Sequence, residues 1–105
     1  MIAKLPIELP IERIGEFCRK WKIGELALFG SVLRQDFRPD SDVDVLVTFA
    51  AEARHSVFDL IRMKNELKAI LGREIDLVDK RVVEESDNYI RRDHILNSAE
   101  IVYGA

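Results

Sequence analysis

The sequence has little cysteine, proline or glycine and no long apolar run. Its single cysteine, Cys18, excludes an internal disulfide and suits a reducing compartment. No segment approaches the roughly 20 consecutive apolar residues that a membrane span needs, and residues 1–6 contain no extended apolar stretch. We therefore expect a cytoplasmic protein with no membrane-bound part.

An excess of positive charge is also lacking. The 16 lysines and arginines are outnumbered by 19 acidic residues, which gives a net charge of −3 and a pI near 5.4. Because phosphate backbones attract basic surfaces, this balance argues against a nucleic-acid partner. With 105 residues, 48% of them apolar, the chain is expected to form a single domain over residues 1–105, with no room for a second.

The spacing of apolar residues predicts alternating helices and strands. Helices are expected over 11–22, from Ser56 to about Leu71 with Gly72 after it, and over about 83–97. Strands are expected over 26–29, 42–49 and 74–78, and residues 100–103 would form a strand or a final helical turn. This alternation is typical of an α/β or α+β sandwich.

Two carboxylates stand one residue apart at the start of the second predicted strand. Asp42 and Asp44 should therefore share one face, about 7 Å apart. Asp76 has the same apolar–Asp–apolar context on another strand, and three converging carboxylates would raise one another's pKa. Two Mg²⁺ ions about 4 Å apart would remove that repulsion and clamp the oxygens of an in-line phosphoryl displacement. Alternatively, Asp42 is a turn residue and Asp76 is a solvent-facing strand residue. For any one aspartate taken alone, this structural interpretation is the better one.

A glycine–serine turn precedes the acidic pair. Gly30 lets the backbone approach a ligand, and Ser31 offers a hydroxyl and an N–H at a predicted helix start that Pro39 closes. No Gly-Lys-Ser/Thr follows, so this turn is not a P-loop.

A calcium loop is the competing interpretation, because Asp40, Asp42 and Asp44 alternate as in an EF-hand. The sixth position, where that loop needs glycine, is Val45, and the twelfth, where it needs glutamate, is Ala51. We therefore reject the EF-hand.

The complete pattern is Gly30-Ser31, ten residues, Asp42-x-Asp44 and a later strand aspartate. It resembles the signature of the polymerase-beta-type nucleotidyltransferase superfamily. The sequence between Gly30 and Asp44 is most similar to the minimal nucleotidyltransferases, small domains that are often antitoxin partners of HEPN-domain ribonucleases. The resemblance extends to residues 89–92. It implies the nucleotidyltransferase fold, an α+β sandwich whose small mixed sheet has helices on one side.

The resemblance also implies a role for each acidic residue. Asp42 and Asp44 would bind two Mg²⁺ ions that accompany the substrate ATP. Asp76 would be the third metal ligand and would help to deprotonate the attacking hydroxyl.

Four further residues are assigned to the nucleotide by the same resemblance. Gly30 and Ser31 would hold the β- and γ-phosphates, Arg34 would contact phosphate or a partner, and Ser41 would also belong to the nucleotide site. One departure is Gln35, where these proteins usually have glycine.

The function that follows is AMP transfer from Mg²⁺·ATP to a hydroxyl, with a tyrosine of a partner HEPN toxin as the implied acceptor. Two alternatives stay open. The chain could neutralise its toxin by occlusion without catalysis, or it could transfer the nucleotide to a small molecule. Homo- and hetero-oligomers are both compatible with the sequence.

Other chemically active residues have simpler interpretations. His55 and His94 lack a metal-spaced partner and are predicted to be surface residues. Cys18 is expected to be a semi-buried filler, and Trp21 a core residue.

A small basic cluster occurs near the end of the chain. Arg81, Arg91 and Arg92 are expected to form a solvated helix face, with contact to an acidic partner as the alternative.

Overall fold

The computed structural model describes residues 9–34, 38 and 41–104. The predicted closure at Pro39 and the departure at Gln35 lie outside these residues. The elements in chain order are α1 (Ile11–Lys20), β1 (Ile23–Phe29), a 3₁₀ helix (Gly30–Leu33), β2 (Val43–Phe49), α2 (Val57–Leu71), β3 (Ile75–Asp79), α3 (Lys80–Glu84), α4 (Tyr89–Ser98) and β4 (Glu100–Gly104).

The four strands form one mixed sheet in the order β3-β2-β1-β4. β1 is antiparallel to both of its neighbours, and β2 is parallel to β3. The parallel pair is joined through α2, as a parallel connection requires. The predicted α+β class with a small mixed sheet is confirmed.

One face of the sheet carries the main core. Leu26 and Leu28 of β1 point to this face because side chains alternate along a strand. α1 and α2 cover the same face, and α2 contributes Met63 and Leu67. The buried side chains of this core are Ile14, Phe17, Cys18, Ile23, Leu26, Leu28, Val32, Val43, Val45, Val47, Met63, Leu67 and Ile75. We call this side the core face.

The opposite face is covered in part. Ala27 and Phe29 of β1 and Leu46 of β2 pack there against Val83 of α3 and Ile95 of α4. The expectation of helices on one side of the sheet is therefore wrong in this detail, because α3 and α4 occupy the second face. Their sequences are charged and bring few apolar side chains to the sheet, so the amphipathic signal is weak. We call this side the site face.

The predicted single helix over 83–97 is two helices. The Asp79 side chain accepts a hydrogen bond from the Arg81 N–H and caps α3, and the Asn88 side chain accepts one from the Arg91 N–H and caps α4. Each cap starts a new helix because it satisfies a backbone donor that the helix itself leaves unpaired.

The long helix α2 agrees closely with its prediction. Ser56 forms a capping box with Asp59, and Gly72 ends the helix at φ +68°. α1 is shorter than predicted, because Lys22 adopts a φ of 57° and the chain enters β1 through Gly24, which was expected to end the helix. Residues 100–103 belong to a strand, one of their two predicted forms.

Cys18, Trp21 and His94 differ in how deeply they are buried. Cys18 is fully buried, beyond the expected semi-burial, and burial raises the pKa of its thiol to about 12. Trp21 packs against the core, and its indole N–H donates to Glu66 at 2.8 Å. His94 is exposed, as predicted.

The surface prediction for His55 is wrong. Its side chain is only 13% exposed, its Nε2 lies 2.7 Å from the Trp21 carbonyl oxygen, and its ring packs on Phe49. A histidine ring buries an apolar body and needs only one or two polar partners, so spacing to other metal ligands does not predict its burial.

Within the described ranges, no helix has the length and apolar character needed to cross a membrane.

Candidate active site

The register of the strands places two of the three predicted carboxylates side by side. Asp44 on β2 is opposite Asp76 on β3 and opposite Phe29 on β1. Both aspartates point to the site face, since Val43 and Val45 point to the core face. They lie where the parallel strands begin and where β1 ends at Phe29, directly before Gly30. The topology thus brings Asp44, Asp76 and the glycine–serine turn to one edge of the site face.

Gly30 lies directly against the Asp44 side chain. Its φ is +76°, in the left-handed region that favours glycine. A Cβ atom built on Gly30 would lie 2.1 Å from the Asp44 Oδ2 atom and 3.1 Å from its Cγ atom. A side chain at this position would have to displace the Asp44 carboxylate, so backbone conformation and close approach both favour glycine here.

Ser31 lies inside the 3₁₀ helix that follows. It was expected to cap a helix, but Phe29 occupies the cap position and no side-chain cap bond is present there. The Ser31 carbonyl accepts a hydrogen bond from the Arg34 N–H at 2.9 Å, which closes the turn. Ser31 is partly exposed beside Gly30, and Arg34 is exposed.

Asp42 precedes β2 and is exposed, so β2 begins one residue later than predicted. The chain reaches Asp42 through a turn in which the Ser41 N–H donates to the Arg38 carbonyl at 2.9 Å. The Ser41 hydroxyl oxygen accepts from the Arg38 N–H at 3.1 Å. In this structure the Ser41 side chain therefore shapes the approach to the acidic pair.

Asp44 is the electrostatic centre of the site. Its pKa is raised above the ordinary value of a carboxyl, first by burial and then by the negative charges of Asp76 and Asp42. Arg34 and Arg91 act in the opposite direction. Two further acids and two arginines thus act on one half-buried carboxylate.

The site suits a divalent cation in donor type and in charge. Carboxylate oxygens are the ligands that Mg²⁺ prefers, and the repulsion that raises the pKa of Asp44 is what a bound cation would relieve. Among the residues described, no three acidic, histidine or cysteine side chains stand close enough together to hold a metal ion. The structure thus brings Asp44 and Asp76 together, and the complete ligand set with Asp42 stays a prediction.

Arg91 also acts at this site, although the sequence does not predict it there. The prediction is a solvated helix face shared with Arg81 and Arg92, and Arg91 is exposed. However, it acts on Asp44, which belongs to a strand 47 positions earlier in the chain. Only the packing of α4 on the site face reveals this proximity. The spacing of Arg91 and Ile95, one helical turn apart, predicts that they share a side of α4 but not that this side faces Asp44.

The chain is similar in sequence to known proteins. Residues 11–101 match the family model described as "Nucleotidyltransferase domain". The chain is 35% identical over 80 residues to "Putative protein adenylyltransferase MJ0435" of Methanocaldococcus jannaschii, with 76% of this chain and 80% of that protein covered. It is 38% identical over 65 residues to "Protein adenylyltransferase MntA" of Thermococcus cleftensis, with 62% of this chain and 64% of the relative covered.

Solved structures share the fold. One, described as a "putative minimal nucleotidyltransferase", is 30% identical with a TM-score of 0.65 and covers 85% of each chain. A toxin–antitoxin structure with AMP-PNP is 22% identical with a TM-score of 0.69, covering 92% of this chain and 75% of the other. A complex of a tri-AMPylated Shewanella oneidensis HEPN toxin with an MNT antitoxin is 22% identical with a TM-score of 0.61, covering 90% and 70%. With the family model matching most of its length, this chain belongs to the nucleotidyltransferase domain family.

Proposed function

We propose that this protein is a protein adenylyltransferase that moves AMP from ATP to a hydroxyl group and depends on Mg²⁺. One observation carries the proposal. The Asp44 carboxylate lies against Gly30, where any side chain would displace it, and stands in register with Asp76. A structural role does not account for a half-buried carboxylate beside a second acid, because that placement destabilises the charged form.

The proposed roles follow the positions of the residues. Asp42 and Asp44 would hold the metal ions, and Asp76 would complete the ligand set. Mg²⁺, when bound, would neutralise phosphate charge and orient the reacting oxygens. The hydroxyl oxygen forms a bond to the α-phosphorus while the bond from that phosphorus to the bridging oxygen breaks, and pyrophosphate leaves with the electron pair. Asp76 would assist removal of the hydroxyl proton.

Gly30 and Ser31 are proposed to bind the β- and γ-phosphates. Glycine lets the phosphates approach the main chain, and Ser31 provides a hydroxyl and a backbone N–H that are partly accessible. Arg34 and Ser41 complete the proposed nucleotide site, Arg34 by charge and Ser41 through the turn that it forms with Arg38.

For the acceptor we propose a tyrosine of a HEPN-domain toxin, which would make this chain the antitoxin. The support comes from relatives named protein adenylyltransferase and from the related complex that contains an AMPylated HEPN toxin. Two Mg²⁺ ions per site and a cytoplasmic location belong to the same proposal.

The test is incubation of the protein with a HEPN toxin, ATP and Mg²⁺, followed by intact mass spectrometry of the toxin. Wild type and Asp87→Asn, a matched change at an exposed acid on the loop before α4, should add AMP. Asp44→Asn should reduce the rate by at least about 100-fold, since a lost metal ligand removes several kcal/mol of charge stabilisation. Neutralisation of the toxin at unchanged mass would refute catalysis and favour occlusion.

A further inference from the structure

The packing of α4 directs Arg91 toward the proposed nucleotide site. Ile95 of α4 is buried on the site face with Phe29, the residue before Gly30 and the β1 partner of Asp44. Arg91 lies four residues before Ile95, which places both side chains on the same side of the helix. Arg91 is therefore on the side of α4 that packs on the site face, and its charge acts on Asp44 at the edge of the sheet.

The neighbouring arginine on the same helix provides a contrast. The Arg92 guanidinium pairs with Asp93, with 3.3 Å between Nε and Oδ1. The side chain of Arg91 is exposed, and within the described part of the chain it takes part in no hydrogen bond or close ion pair. Its backbone N–H is the donor to the Asn88 cap. Its cationic head is thus available to a ligand.

The acidic cluster supplies the electrostatic context. Arg91 and Arg34 come from different elements, the first turn of α4 and the end of the 3₁₀ helix, and both attract the Asp44 carboxylate. Both cations therefore lie within electrostatic reach of the point where phosphates would meet the acids. A guanidinium offers paired donors that match two phosphate oxygens, a geometry that lysine cannot reproduce.

We propose that Arg91 binds the β- and γ-phosphates of the nucleotide from the α4 side of the site. This inference rests on the proposed function, and it assigns a residue that neutralises charge on the departing pyrophosphate. The helix that closes part of the site face thereby also distinguishes ATP from AMP.

Calorimetric titration of Arg91→Ala, Arg91→Lys and Arg92→Ala with ATP, ADP and AMP in the presence of Mg²⁺ tests the proposal. Loss of a charge-assisted phosphate contact predicts an ATP affinity about 10- to 100-fold lower for Arg91→Ala, with AMP affinity changed less than about twofold. Arg91→Lys should recover part of the loss. Arg92→Ala should bind all three nucleotides like wild type.

Two results would overturn the proposal. One is an Arg91→Ala variant that binds ATP as tightly as Arg92→Ala, and the other is an equal loss for ATP and AMP, which would indicate a structural role. Thermal unfolding of each variant checks that α4 remains folded. AMP transfer to the toxin is measured separately. If the wild type transfers AMP and Arg91→Ala binds ATP normally, this inference alone is contradicted. If ATP binding depends on Arg91 but the wild type transfers no AMP, only the proposed function is contradicted.

Discussion

The two faces of the sheet differ in what they bury. The core face carries a continuous set of apolar side chains under α1 and α2, with Leu28, Met63 and Leu67 at 0% exposure. The site face has a smaller apolar cluster under α3 and α4, and at its edge a carboxylate that burial and like charges destabilise. Residues that alternate along the same strands thus serve stability on one side and charge placement on the other.

Gly30 and Gly72 repeat the contrast at the level of single turns. Both have positive φ, but a Cβ on Gly72 meets nothing within 4 Å, whereas one on Gly30 meets the Asp44 carboxylate. Gly72 ends α2, whereas Gly30 follows β1 and begins the 3₁₀ helix beside the acids. The same residue type is required once for chain conformation alone and once for both conformation and space.

The largest expected effect tests whether the core face excludes solvent from the Cys18 thiol. Because burial raises the pKa of Cys18 from 9.0 to about 12, the thiolate fraction near pH 8 should be about 1000-fold lower in the folded protein than in the unfolded chain. Alkylation by iodoacetamide, followed by mass spectrometry in buffer and in denaturant, should be slower in the folded protein by at least this ratio, because burial also restricts access to the sulfur. Equal rates in the two conditions would show that the core face is open to solvent.

Truncating one leucine on each face compares their packing. Leu28→Ala, on the core face, should lower the free energy of unfolding by about 3–5 kcal/mol, because the surrounding core cannot collapse around the cavity. Leu46→Ala, in the smaller cluster of the site face, should cost about 2–3 kcal/mol. Urea unfolding of both variants gives the values. A larger loss for Leu46→Ala would reverse the assignment of stability to the core face.

Replacing either glycine by alanine should have a smaller effect on stability than the leucine truncations, and replacing Gly30 should also impair ATP binding. Gly72→Ala should lower the free energy of unfolding by about 1 kcal/mol through the left-handed backbone alone and leave nucleotide binding unchanged. Gly30→Ala carries the same backbone cost and also displaces the Asp44 carboxylate, so ATP binding should fall by at least about 10-fold. Thermal unfolding and calorimetry separate the two. Unimpaired ATP binding by Gly30→Ala would remove the turn from the site.

Local sequence signals predicted the elements that local chemistry determines. α2 follows from its Ser56 cap and its Gly72 stop, and the adjacency of Asp44 and Asp76 follows from matched contexts on two strands. That α3 and α4 cover the site face could not be predicted. These two helices depend on single side-chain caps and on the tertiary packing of Val83 and Ile95. That same packing brings the charge of Arg91 close enough to act on Asp44, so its place near the site is visible only in three dimensions.

The Asp44 charge gives stability a pH dependence whose sign is determined by its raised pKa. In the folded protein Asp44 holds its proton more tightly than in the unfolded chain, so the ionised group destabilises the fold at every pH above the raised pKa. This cost shrinks as the pH falls through the raised pKa and vanishes below the ordinary carboxyl pKa of 3.8.

The central claim is that Asp44 serves function at the expense of stability, and Asp44→Asn tests it most directly. In metal-free buffer at pH 7, urea unfolding should show the variant to be more stable than wild type, with a difference that disappears near pH 3. The same variant should lose AMP transfer and any stabilisation by Mg²⁺. A variant less stable than wild type at pH 7, or one that retains full transfer activity, would contradict the account.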